Sequence, residues 1–220
     1  MFERPLTRRA WLGGAALTAL GLAGLRSERS AAAPSVSCIL TPEQTEGPYY
    51  IPGEKLRRNI TEGRPGAPLL LHSYVVDATT CQPIRNAAVD IWHADAGGVY
   101  SGFGAGASSR TFMRGIQRTN AKGLAVFRTV YPGWYQGRTV HIHVKVHIGG
   151  NVVHTGQLYF RDSLTDAVYR RPPYNARPNR DTRNATDAIY RGGGSKSLLS
   201  VKKNGSGIYV ATITMGVQRS

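Results

Sequence analysis

Acidic residues are scarce in this sequence. Its 220 residues include 13 Asp and Glu against 28 Lys and Arg, which gives a formal net charge of +15. Nucleic-acid-binding proteins often carry such a charge, but here the basic residues are scattered and form no recognisable nucleic-acid-binding motif. We therefore expect no nucleic-acid partner. The field of a soluble basic protein instead favours the approach of anionic partners or aromatic acids.

Long apolar runs are also lacking. The N-terminal run Trp11–Leu25 has 15 residues, fewer than the roughly 20 that a membrane span needs. It follows the pair Arg8-Arg9 and precedes Ala31-Ala32-Ala33, a pattern typical of a twin-arginine signal peptide. We expect residues 1–33 to be this signal rather than a buried N-terminal helix. The protein would then be exported to the periplasm, the cell envelope or the medium, with no stable membrane anchor after cleavage.

Cysteine is limited to two residues, Cys38 and Cys81. In an oxidising compartment an even pair of cysteines is most often a disulfide. Such a bond would join the N-terminal arm to the loop after the first long strand. The alternative, two buried free thiols, is less favoured because of the export signal.

Helical periodicity is missing beyond the signal, where no 3.6-residue apolar pattern persists for ten residues. Short β-rich apolar runs separated by turn residues predict an all-β domain over residues 34–220, a β-sandwich of seven or more mostly antiparallel strands with long loops. Residues 34–65 form an N-terminal arm, and Ser163–Gly194 a long excursion. The predicted strands are Leu69–Val76, Ala87–His93, Leu124–Thr129, Thr139–Ile148, Val152–Phe160, Ser197–Val201 and Ile208–Met215.

The strongest local signal is His141-Ile142-His143 within a predicted strand. Side chains two apart in a strand leave the same face, so both imidazoles can bind one metal ion from a rigid element. Ile142 lies on the opposite, apolar face. His-x-His alone is weak evidence, because two ordinary sheet histidines give the same pattern.

Two further segments change that assessment. Residues 129–138 contain a Pro-Gly pair and several aromatic side chains, and they end with Arg138, three residues before His141. Such a loop is typical of an active-site wall. The strand at residues 87–93 leads through the polar, Gly-rich turn Gly97-Gly98 to Tyr100. Tyrosines usually have structural roles, and most of the eleven in this chain are expected to be structural.

Four motifs, taken in their order along the chain, resemble those of the intradiol ring-cleavage dioxygenases, the family of catechol 1,2-dioxygenase and protocatechuate 3,4-dioxygenase. The arm segment 45–50, Thr-Glu-Gly-Pro-Tyr-Tyr, resembles the entry segment of that family. Four ordered motifs are more specific than any one of them. The matching segments are Trp92 to Tyr100, Pro132-Gly133-Trp134-Tyr135, Arg138-x-x-His141-x-His143 and Gln157-Leu158-Tyr159-Phe160.

The resemblance implies a non-haem Fe(III) enzyme that cleaves a catecholic ring with O2 between its two hydroxylated carbons and gives a cis,cis-muconate-type product. Arg138 would stabilise developing negative charge, and Gln157 would orient substrate or O2. Tyr135 would leave the metal when the catechol binds and would take up a substrate proton. No other cofactor is implied. The implied ligands of Fe(III) are Tyr100, Tyr135, His141 and His143.

The chain also departs from the two named enzyme types. His141 follows Tyr135 by six positions, a shorter gap than in either type, and we expect no helical N-terminal dimerisation region. Both features suggest a smaller, exported branch of the family. The substrate and any homo-oligomer stay open; Ser101, Phe103 and Arg114 are candidates for substrate selection.

The sequence leaves two alternatives open. One is a non-catalytic exported β-sandwich binding module, in which Trp92, Trp134 and Tyr135 form a ligand platform. The other is a zinc or copper site on His141, His143 and His147.

Overall fold

The computed structural model describes residues 40–104 and 106–219. The predicted signal peptide and Cys38 therefore lie outside the described residues. The export prediction stays a prediction. In the described part of the chain no helix is long and apolar enough to cross a membrane.

Eight strands form two four-stranded sheets, as predicted for an all-β sandwich. One strand, β3, was missed because its sequence, Arg-Gly-Ile-Gln-Arg, is short and lacks apolar alternation. The strands are β1 Pro68–Asp77, β2 Ala88–Trp92, β3 Arg114–Arg118, β4 Leu124–Val130, β5 His141–Ile148, β6 Asn151–Tyr159, β7 Ser200–Lys203 and β8 Tyr209–Val217.

The strand order is β4-β1-β8-β7 in one sheet and β3-β2-β5-β6 in the other. All neighbouring strands run antiparallel except β1 and β8, which are parallel. The mostly antiparallel arrangement was therefore predicted correctly. In the second sheet β5 is an inner strand between β2 and β6, so both histidines of the His-x-His motif stand on a strand held from both sides.

The core lies between the two sheets. On β5 the predicted apolar face, Ile142, Val144 and Val146, is fully buried in it. Leu71 on β1 and Met215 on β8 belong to the same cluster from the opposite sheet. Because side chains alternate along a strand, burying this face of β5 directs His141 and His143 to the other side of their sheet. Packing of the core thus fixes where the imidazoles point.

The predicted excursion is a chain of short helical turns. Its elements are α1 Asp162–Tyr169, α2 Ala188–Arg191 and single 3-10 turns at 174–176, 184–186 and 194–197. Asn184 fastens it to the sheet: its Nδ2 donates to the Phe160 carbonyl at 2.9 Å, and its Oδ1 accepts from the Thr139 hydroxyl at 2.6 Å. The excursion therefore packs at the start of β5.

The described part of the N-terminal arm is bound along both sheets. Single bridges pair Leu40 with Gly216, Leu56 with Ile116 and Asn59 with Arg128. Cys81 is disulfide-bonded; the sequence has one other cysteine, Cys38, which lies outside the described residues. The arm brings residues 45–50 to the open face of the second sheet, where Gln44 N–H donates to the Thr155 carbonyl on β6.

Candidate metal centre

His141 and His143 place two imidazole nitrogens side by side at the start of β5. Their Nε2 atoms lie 3.0 Å apart. The Nδ1 of His141 lies 2.6 Å from the Thr139 carbonyl oxygen. Since a carbonyl can only accept, Nδ1 must carry the proton and Nε2 must present its lone pair. Trp92 stacks on the His143 ring at 4.9 Å, which holds that ring in place.

Both imidazoles are neutral near physiological pH. Burial, followed by the nearby Arg138 charge, lowers the pKa of His141 to about 3. Burial and the neighbouring His141 ring lower the pKa of His143 well below its ordinary value. Metal binding needs the neutral form of histidine, so neither side chain must first lose a proton.

Two phenols complete the group. The Tyr135 hydroxyl donates to His141 Nε2 across 3.2 Å, and its ring lies 5.5 Å from that of Tyr100. The buried hydroxyl of Tyr100 has no hydrogen-bond partner among the described residues. Burial raises the pKa of both phenols. An unpaired buried hydroxyl costs free energy, so the fold maintains a polar atom here that an ion could satisfy.

The loops that carry the two tyrosines touch each other through glycines. Gly133 N–H donates to the Asp95 carbonyl at 2.9 Å, and a Cβ atom at Gly133 would overlap that carbonyl. Asp95 in turn accepts from Gly97 and Val99 N–H through its carboxylate, which shapes the turn before Tyr100. The glycines of the Gly-rich turn and of the Pro-Gly motif therefore both allow the loops that carry Tyr100 and Tyr135 to approach closely.

Arg138 and Gln157 lie beside the group and contact each other. The guanidinium of Arg138 donates through Nη2 to Gln157 Oε1 and through Nε to Asp187 Oδ2, the latter at 2.9 Å. Gln157 Nε2 donates to the Thr45 carbonyl of the arm at 2.9 Å. The structure thus brings together all six residues that the sequence predicted as iron ligands or catalytic residues.

Three residues near the site were missed. Asp187 comes from the excursion, where no motif marks it. Thr139 orients His141 through its carbonyl, which a sequence does not reveal. Tyr49 stacks on Tyr100 with ring centroids 4.3 Å apart; its segment, 45–50, resembles the entry segment of the family, but Tyr49 itself was not singled out.

Ser101 and Arg114, two of the candidates for substrate selection, have structural partners within the fold. Both are buried, and Arg114 donates to the Ser101 carbonyl and, across 2.6 Å, to the Tyr49 carbonyl. Their polar groups therefore hold the Tyr49 backbone and the Tyr100 loop together. Phe103 is half-buried and lies edge-on to Tyr49 at 5.2 Å, so it stays a candidate.

The donor set suits a hard, highly charged cation. Phenolate oxygen is a hard anionic donor, and neutral imidazole suits iron as well as zinc and copper. Within residues 40–104 and 106–219 no group of three or more His, Cys, Asp or Glu side chains is placed to hold a metal. A zinc or copper site on His141, His143 and His147 is therefore not favoured. The residues present fit Fe(III).

Comparison with known proteins decides the family. Residues 45–169, more than half of the chain, match the sequence profile of the family described as Dioxygenase. The structure resembles that of an intradiol ring-cleavage dioxygenase from Tetranychus urticae with a TM-score of 0.79 and 36% identity, covering 82% of this chain and 95% of that one. This chain belongs to the intradiol ring-cleavage dioxygenase family.

Other members of the family match this chain over different fractions of its length. The dioxygenase domain of a dioxygenase and carbohydrate-binding protein fusion from Streptomyces sp. SirexAA-E has a TM-score of 0.64 and 34% identity, over 83% of this chain and all of that domain. Catechol 1,2-dioxygenase 1 from Acinetobacter lwoffii is 34% identical over 101 residues, which are 43% of this chain and 32% of that protein. The chain thus matches about a third of the length of this relative.

Proposed function

We propose that this intradiol-family protein uses a non-haem Fe(III) ion to cleave a catecholic ring with O2 between the two hydroxylated carbons, giving a cis,cis-muconate-type product. The observation that carries the proposal is the convergence of a buried phenol, Tyr100, and a half-buried phenol, Tyr135, on two neutral imidazoles. The Tyr135 hydroxyl lies 3.2 Å from His141 Nε2, and the histidine Nε2 atoms lie 3.0 Å apart.

Tyr100, Tyr135, His141 and His143 would hold the iron. Bound Fe(III) would supply the Lewis acidity that binds the catecholate and makes its ring reactive towards O2. With two phenolates, a hydroxide and two neutral imidazoles, the charge of Fe(III) is balanced, so the site avoids a net buried charge.

The two tyrosines would have different roles because their surroundings differ. Tyr135 is half-buried at the edge of the site, whereas Tyr100 is 5% exposed and lies beneath Tyr49. A group at the edge can move aside when substrate enters. We assign Tyr135 Oη as the base that accepts a proton from a catechol hydroxyl, and Tyr100 as the ligand that stays.

Arg138 would stabilise negative charge that develops on the substrate. Its guanidinium is held on one side by Gln157 and on the other by Asp187. A cation fixed before the reaction stabilises a transition state at no cost of reorganisation. Gln157 would act by keeping Arg138 in place and by facing the substrate with its amide.

The test is to express the chain with iron, purify it and measure iron content, visible spectrum and catechol cleavage together. We expect about one iron per chain, a reddish colour from tyrosinate-to-Fe(III) charge transfer, and both atoms of 18O2 in the ring-opened product. His141→Ala is the variant without metal binding, and His72→Ala, a histidine of β1 in the other sheet, is its matched control. Colourless protein that holds stoichiometric zinc would end the proposal.

We further propose export of the folded protein by the twin-arginine route, on the strength of Arg8-Arg9 and the apolar run that follows. Fractionation of cells that express the wild type or an Arg8→Lys, Arg9→Lys variant tests it. Retention of the wild type in the cytoplasm would refute it.

A further inference from the structure

Asp187 is a buried carboxylate whose two oxygens are both fully used. It is 1% exposed. Oδ1 accepts from the N–H groups of Ile189 and Tyr190 at 2.8 and 2.9 Å and so caps α2. Oδ2 accepts from Arg138 Nε at 2.9 Å and from Thr139 N–H at 2.8 Å. One side chain of the excursion therefore holds both a helix end and the residues just before the histidine pair.

The bond to Arg138 limits where its guanidinium can point. With Nε bonded to Asp187 and Nη2 to Gln157, the plane of the group is fixed from two sides. Nη1 has no hydrogen-bond partner among the described residues, so its N–H groups are free to donate to a ligand. A carboxylate at Nε is a charge-assisted contact, which is stronger than a neutral one.

Asp187 also influences His141, through its hydrogen bond to Thr139. Asp187 Oδ2 fixes the N–H of Thr139, and the carbonyl of the same residue accepts the proton of His141 Nδ1 at 2.6 Å. That hydrogen bond sets the tautomer in which Nε2 faces the tyrosines. The hydroxyl of Thr139 donates a hydrogen bond to Asn184. The N–H and the hydroxyl of Thr139 are therefore both held by residues of the excursion.

The charge of Asp187 is maintained at neutral pH. Burial alone would raise the pKa of its carboxyl, but the N–H groups of Tyr190 and Thr139 and the Arg138 guanidinium lower it on balance. Arg138 therefore has an anionic partner under ordinary conditions.

We propose that Asp187 is a positioning residue of the site: it directs the Arg138 guanidinium towards the substrate and, through Thr139, holds His141 in the metal-binding tautomer. This inference rests on the proposed function for the role of Arg138. It assigns the excursion, which has no motif, an indirect part in the reaction through Arg138 and Thr139.

Asp187→Asn is the decisive variant because asparagine is as good an N-cap as aspartate. Its Oδ1 can still cap α2, while an NH2 group replaces the oxygen that faces Arg138 and Thr139. Asp187→Ser keeps a capping oxygen on a shorter side chain and serves as the second variant. The matched control is Asp166→Asn, a carboxylate of the same excursion that pairs with Arg180 and Arg183 at 3.0 and 3.1 Å.

Two measurements separate positioning from general destabilisation. The first is a double-mutant cycle in kcat and KM with Arg138→Ala. We expect Asp187→Asn to lower kcat by about 10–100-fold with little change in KM or iron content. Its further effect should be clearly smaller when Arg138 is already alanine, because only the path through Thr139 then remains. The second is hydrogen exchange of the metal-free protein, in which the Thr139 amide should exchange faster in Asp187→Asn but not in Asp166→Asn.

The outcomes are distinct. If Asp187→Asn lowers kcat by the same factor with and without Arg138, the role through Arg138 is refuted. If Asp187→Asn and Asp187→Ser both leave kcat unchanged, the whole positioning role is refuted. The proposed function stands in both cases. If the wild type cleaves no catechol, the proposed function fails, and the role assigned through Arg138 fails with it. The exchange rate of the Thr139 amide then decides the His141 path, and an unchanged rate refutes that path.

Discussion

Gly98 faces the main-chain carbonyl of Trp134, and a Cβ atom at Gly98 would overlap that oxygen. Gly98 has a φ of +85° and stands two residues before Tyr100, while Trp134 immediately precedes Tyr135. The absence of one side chain thus lets the two tyrosine loops meet. The distance between the phenols depends on this contact.

We expect Gly98→Ala to weaken both folding and metal binding. Alanine at positive φ costs about 1 kcal/mol or more, and the clash with Trp134 adds to that cost and separates the loops. Gly104→Ala is the matched control, since Gly104 has a φ of +77° but nothing within 4 Å of a Cβ. Urea unfolding and iron content measure both effects. Equal losses in the two variants would mean that the loop contact is unimportant.

The two tyrosine variants should differ in metal content. Tyr135→Phe retains Tyr100, His141 and His143 and should keep part of the iron, with weak turnover because a proton acceptor is lost. Tyr100→Phe should lose iron, colour and activity together. Iron analysis, visible spectra and turnover are measured on both variants side by side.

The control for this pair is Tyr209→Phe, a phenol on β8 in the other sheet. It should match the wild type in colour and turnover. If Tyr100→Phe and Tyr135→Phe also retained full colour and turnover, neither phenolate would bind the iron. Likeness to the family would then be one of fold alone, which does not establish chemistry.

The sequence predicted most of the fold because its strands are short, apolar and separated by turn residues. It also predicted which side of β5 carries the histidines, since Ile142, Val144 and Val146 form the buried face. Strand β3 was not predicted because an arginine stands at each of its ends. One of them, Arg114, is buried and its charge is satisfied by hydrogen bonds that no local sequence pattern reveals.

The supporting residues could not be predicted for a related reason. Asp187 and Arg138 are 49 positions apart and meet only when the excursion packs on β5. Arg114 was named only as a candidate for substrate selection. Its partners include the backbone carbonyls of Tyr49 and Ser101, and the sequence does not show where these point.

A disulfide between Cys81 and Cys38 is the expected state of the exported protein. Cys81 is disulfide-bonded in the structure, and the sequence offers one other cysteine. Thiol titration of denatured, unreduced protein should find no free thiol. Cys81→Ser should lower the free energy of unfolding by about 2–4 kcal/mol, the usual effect of losing such a bond. Finding two free thiols in the exported protein would refute the assignment.

Asp90 makes the stability depend on pH in an unusual direction. It lies on β2 opposite Lys145 of β5, is 1% exposed, and neither carboxyl oxygen has a hydrogen-bond partner among the described residues. Burial raises the pKa of Asp90 to about 7. In the unfolded chain an Asp carboxyl has a pKa of about 3.9. Between these values the folded protein binds a proton that the unfolded chain has lost.

The contribution of Asp90 to the free energy of unfolding therefore falls as the pH rises from about 4 to about 7. Asp90→Asn stays neutral and should remove this dependence. Relative to the wild type, we expect the variant to gain stability between pH 5 and pH 8, by up to a few kcal/mol at about 1.4 kcal/mol for each pKa unit. Urea unfolding at pH 5, 6, 7 and 8 measures the difference, and Asp181→Asn, an exposed carboxyl, is the control. A difference between Asp90→Asn and the wild type that stays constant over this range would show that Asp90 is ionised in the folded protein throughout, and that its charge is balanced by Lys145 or another partner.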